Sequence, residues 1–91
     1  MANAVTGNPL LLDTVGTVSP FLTSRVYIRQ LEYVDYAVAT EVFELLDSVG
    51  RVIWRGNGHD DFSPVVTEQI GWVKGLEVGT LVAPGRILVY I

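Results

Sequence analysis

Apolar and polar residues alternate in short runs along this chain, and glycine, proline or Asp/Asn-rich stretches end nearly every run. Residues 25–34 give the clearest pattern: Val26 and Ile28 alternate with Tyr27 and Arg29, the period of two expected of a half-buried strand. The apolar phase then moves to Leu31 and Tyr33, with Gln30 and Glu32 on the other face. A phase change inside one run predicts a bulge or bend near Arg29-Gln30.

Residues 38–54 admit two readings. Val38, Val42, Leu45, Leu46 and Val49 fit helical spacing, with Thr40 as a cap and Gly50 as a stop. Against this stands a hairpin: Phe43 and Leu45 alternate with Glu44 and Leu46, Asp47-Ser48-Val49-Gly50 forms the turn, and Arg51-Val52-Ile53-Trp54 returns. Asp opens a type I turn and Gly50 supplies the left-handed position of a bulged hairpin, so the hairpin is favoured.

The other segments are shorter. Residues 1–9 are small and polar, with Gly7 and Pro9, and are expected to form a flexible arm. Leu10 to Leu12 and Val15 to Val18, broken by Gly16 and Pro20, read as edge-type strands. Residues 55–64 are a surface loop, Val65 to Thr67 a short strand, and Ile70 to Val78 a strand interrupted by Gly71 and Gly75. Thr80 to Ala83 forms another short piece, Pro84-Gly85 a type II turn, and Ile87 to Ile91 a buried closing strand. Seven to nine short strands predict an all-β fold: a small antiparallel β-sandwich or barrel, jelly-roll-like, spanning residues 10–91 as one domain.

Composition sharpens this picture. Of the 91 residues, 49% are hydrophobic and only 18% charged, so some apolar surface is expected to stay exposed, as on partner-binding proteins. No apolar run reaches the roughly 18–20 residues that cross a bilayer. Net charge is −4, and the six basic residues (Arg25, Arg29, Arg51, Arg55, Lys74, Arg86) form no run. Nucleic acid and anionic membrane are therefore not expected as partners. The chain has no cysteine and its first residues lack the features of a signal peptide, which implies synthesis in cytoplasm.

No catalytic or metal site is predicted, and no cofactor. The only histidine, His59, adjoins Asp60 and Asp61, with Glu68 in the next segment, but metal sites need ligands converging from different elements. Ser19, Ser24, Ser48 and Ser63 lack a nucleophile elbow, and Glu41 and Glu44 are expected on opposite faces of a strand. Gly56 and Gly58 lack the strand-to-helix context of a phosphate loop. Trp54 and Trp72 lie near strand ends, where core or interface packing has first claim on them.

Three stretches together carry a resemblance: Thr6-Gly7-Asn8-Pro9 followed by Leu10-Leu11-Leu12-Asp13, the hairpin from Leu46 to Trp54, and Gly75-Leu76-Glu77-Val78 with Leu88-Val89-Tyr90-Ile91. In this order they resemble small β-sandwich structural proteins of tailed-phage virions. That resemblance implies a virion component, foremost a capsid cement or decoration protein, with other virion subunits as partners and self-association into oligomers. It carries over no functional residues. Candidate contact residues are Asn3, Val5, Asn8 and Leu10 around the arm, with Trp54 and Trp72. Two other readings remain open: a carbohydrate- or receptor-binding module of a fibre or baseplate, which an exposed aromatic platform would favour, and a small bacterial β-domain adaptor.

Overall fold

A computed structural model describes residues 8–18, 25–82 and 84–91. Eight strands are present among them: β1 (Leu10–Leu12), β2 (Gly16–Thr17), β3 (Arg25–Val34), β4 (Val42–Leu46), β5 (Val52–Asn57), β6 (Val65–Lys74), β7 (Glu77–Thr80) and β8 (Arg86–Tyr90). All ladders are antiparallel, and β1 pairs with β8, β2 with β7, β3 with β6, and β4 with β5. The chain is thus one long hairpin with the β4–β5 turn at its tip. Pairing of β3 with β8 and of β4 with β7 rolls that hairpin into two four-stranded sheets, ordered β1-β8-β3-β6 and β2-β7-β4-β5. This is the jelly-roll topology anticipated from the strand count.

Alternation decides which side chains meet between the sheets. Val26, Ile28, Leu31 and Tyr33 from β3 face Phe43 and Leu45 from β4 and Val78 from β7, and all but Val26 are wholly buried. No polar or charged residue is buried among the described residues. The phase change in β3 is a true bulge: Ile28 pairs with Gly71 and Gln30 with Glu68, so two residues of β6 oppose Arg29 alone.

The hairpin prevails over the helix at residues 42–57. Asp47 organises its turn, its N–H bonding the Arg51 carbonyl at 2.9 Å while its Oδ1 accepts from the N–H groups of Val49 (3.0 Å) and Arg51 (2.9 Å). Gly50 takes φ +85, the left-handed conformation that glycine adopts without strain.

Four expectations need correction. The loop foreseen from residue 55 begins only after Asn57, because Arg55, Gly56 and Asn57 continue β5 in register with Glu44, Phe43 and Val42. The strands foreseen at Val65–Thr67 and from Ile70 are one ten-residue strand, because Gly71 at φ +92 carries the chain through the bulge instead of ending it. The piece expected at Thr80–Ala83 is the end of β7, which stops at Thr80. Gly85 is not the left-handed corner of a type II turn. Its N–H closes a turn onto the Val82 carbonyl at 2.9 Å, and glycine is needed there because a Cβ would press on Tyr33. The arm expected over residues 1–9 falls outside the described residues up to residue 7.

Candidate functional site

Outward-facing positions of β3 and β6 carry the most unusual surface. The register places Arg25 beside Lys74 and Tyr27 beside Trp72, while the inward Val26 and Ile28 enter the core. Trp72 is 62% exposed and Tyr27 45%. Their rings meet edge-on at 5.4 Å, and the Arg25 guanidinium lies 5.2 Å from the Trp72 ring centre. Cross-strand aromatic contact and cation–π attraction hold the indole in place although it is largely in water.

Beside Trp72, across the open side between β5 and β6, runs a groove of about 450 Å³ lined by Arg25, Asp47, Arg51, Val52, Trp72 and Lys74 among others. The N–H of Ser48 bonds the Lys74 carbonyl at 2.9 Å, which ties the β4–β5 turn to the end of β6. Arg51 reaches Asp47 at 3.2 Å but stays 82% exposed. Arg25 and Lys74 have no carboxylate partner among the described residues. Basic residues scattered along the chain are therefore gathered by folding. A second depression of about 490 Å³, lined by Tyr27, Arg29, Gln30, Glu68 and Tyr90, extends the same sheet face.

The opposite end of the sandwich holds a larger cleft of about 860 Å³, bounded by Asp13, Asp35, Tyr36, Phe62, Pro84 and Arg86. Tyr36 is its anchor. The Tyr36 hydroxyl accepts from the His59 N–H at 2.8 Å and donates to the Ser63 carbonyl at 2.5 Å, fixing the 59–63 loop. Asp35 and Phe62 both have φ 60, which is rare for a bulky aromatic residue. Phe62 is 55% exposed as a result, its ring 5.8 Å from that of Tyr36. Asp35 is ion-paired with Arg86, Nε to Oδ2 at 2.9 Å. Beneath Gly85 the Tyr33 hydroxyl is buried without a hydrogen-bond partner among the described residues, as is Glu41 Oε2. Burial, then the Glu41 carboxylate and Tyr36, push the Tyr33 phenol above its ordinary 10.0.

The residues singled out from the sequence do not form one site. Asn3 and Val5 lie outside the described residues. Asn8 is engaged with β8: its side-chain amide donates to the Ile91 carbonyl at 2.9 Å and accepts the Ile91 N–H at 3.1 Å. Leu10 is 1% exposed and belongs to the core, so its side chain is not a docking contact as expected; the even positions of β1 face inward. Trp54 is half-buried against Phe43, ring centres 4.4 Å apart. Trp72 departs from core packing, because its register partner Tyr27 points outward. Tyr27, Arg25, Arg51 and Lys74 were not singled out. The shared parity of Arg25 and Tyr27, opposite to Val26 and Ile28, was the available signal for two of them.

The chemistry-bearing residues stay apart. His59 and Asp60 are exposed, and Asp61 accepts from the N–H (3.1 Å) and Oγ (2.7 Å) of Ser63, bonds that lower its carboxyl below the usual range. Glu44 is held by Arg55 at 2.9 Å, and Glu41 precedes β4 instead of lying in it. Among the described residues, no three His, Asp or Glu side chains come together as metal ligands. No family model, curated protein or solved structure matches this chain.

Proposed function

We propose that this chain is a non-catalytic structural module that lays the outer face of β3 and β6, around Trp72, onto other protein subunits of an assembly. The observation carrying this reading is the exposed cluster of Trp72, Tyr27 and Arg25. Trp, Tyr and Arg are the residue types that dominate binding energy at protein interfaces, and here they are preorganised on a rigid sheet.

The finer reading is a tailed-phage virion protein, foremost a capsid cement protein, with the virion as its location. Its support is the resemblance drawn from the sequence. Jelly rolls serve in capsids and in lectins alike, so the topology admits this reading without selecting it. A cement protein that binds only assembled subunits stabilises them by mass action, which requires surface and no reactive group. The test is fractionation of the cells that naturally make the chain. It is expected to pellet with particles in fixed proportion to the major shell protein; recovery only in the particle-free supernatant would contradict the proposal.

The exposed aromatic pair also favours a second reading, a carbohydrate- or receptor-binding module. Arg25 lies over the Trp72 ring, so a stacked sugar has to displace it. Sugar titration of Trp54→Phe protein, which leaves Trp72 as the only indole, separates the two: saturable fluorescence change supports the sugar and a flat response supports the protein partner.

A further inference from the structure

We propose that copies of this chain associate head to tail, the acidic 59–62 loop of one copy docking in the basic groove beside Trp72 of the next. The inference rests on the reading of the Trp72 face as a protein-docking surface and names the occupant as a second copy.

Strand register fixes which charges share an end. Arg25 pairs with Lys74, and the β4–β5 turn carries Arg51 to the same end, where Asp47 and Glu77 are the only Asp or Glu side chains among the described residues. At the other end stand Asp13, Asp35, Glu41, Asp60 and Asp61, against Arg86 alone, which is itself paired with Asp35. The net charge of −4 is thus concentrated at one end of the sandwich, while the opposite end is basic on balance. Complementary ends steer like molecules into head-to-tail encounter and disfavour head-to-head contact.

An apolar contact adds to the charge. The turn closed by the Phe62 N–H on the His59 carbonyl at 3.0 Å leaves Asp60, Asp61 and Phe62 exposed. The receiving groove offers Arg25 and Lys74, which lack carboxylate partners among the described residues, and the Trp72 ring for Phe62. The two surfaces are different, so every docked copy leaves one of each open, and association continues into a ring or a row.

Sedimentation velocity of the whole chain tests this, run from about 5 to about 500 µM protein and at about 20 and about 500 mM salt. Mean sedimentation coefficient is expected to rise with concentration at low salt and to fall back at high salt. Arg25→Glu with Lys74→Glu, and separately Asp60→Lys, should each abolish the rise while keeping the wild-type thermal melt. Mixing the two variants should restore it, because the loop carrying Asp60→Lys meets the groove carrying the two new carboxylates, and the unaltered loop meets the unaltered groove. Wild-type protein that stays monomeric throughout, or association indifferent to salt and to both variants, overturns the inference. So does a mixture of folded variants that fails to associate. A monomer that still pellets with particles refutes only the head-to-tail contact; self-association by a chain absent from particles refutes only the structural role.

Discussion

Two tyrosines with stacked rings, Tyr33 and Tyr36, show how one hydroxyl can be a structural pin and another a liability. Tyr36 OH satisfies a backbone donor and a backbone acceptor of the 59–63 loop, so Tyr36→Phe strands both. Loss of about 1–3 kcal/mol in denaturant unfolding is expected. Tyr33 OH is buried with no hydrogen-bond partner among the described residues, and Tyr33→Phe should change stability by less than about 0.5 kcal/mol or raise it. The same phenol has a pH signature. Its proton is held more tightly in the folded chain than in the unfolded one, so its contribution is complete below the ordinary value of 10.0 and is lost as pH rises through the raised one. Alkaline unfolding should therefore shift to higher pH in Tyr33→Phe protein. Equal losses from the two substitutions would contradict the assignment.

At the scale of elements, the β4–β5 hairpin depends on Asp47. The N–H of Arg51, then that of Val49 and the Arg51 guanidinium, lower the Asp47 carboxyl below 3.8. Its contribution is present above the ordinary carboxylate value and lost as pH falls through the depressed one. Asp47→Asn should lower the thermal midpoint at neutral pH and flatten its decline in acid; an unchanged acid profile would sink this account of the turn. The hairpin was legible because its turn chemistry is local, in Asp47 and Gly50. So was the bulge opposite Arg29, which shows in β3 as a shift in apolar parity from Val26 and Ile28 to Leu31 and Tyr33. Elements set by distant partners were harder. Gly71 looks like an interruption until it is seen paired with Ile28, at the edge of the bulge opposite Arg29, and Gly85 looks like a turn corner until the ring of Tyr33 is found beneath it. Trp72 reads from the sequence as either a core or an interface residue; the strand register turns it outward.

Taken as a whole molecule, the chain separates its tasks by layer. The space between the sheets is apolar, and polar chemistry is confined to outer faces and the two ends. Arg25, Arg51 and Lys74 are far apart in sequence and converge only because β3, β6 and the β4–β5 turn finish at one end. That convergence was invisible in a chain whose basic residues form no run, and it gives the molecule its electrical polarity. The central claim is that Trp72 is a contact residue within an assembly. Oxidative footprinting of isolated chain and of native particles measures this directly. Trp72 and Tyr27 should be modified readily in the isolated chain and protected in the particle, while half-buried Trp54 changes little. Equal reactivity of Trp72 in both states would contradict the account.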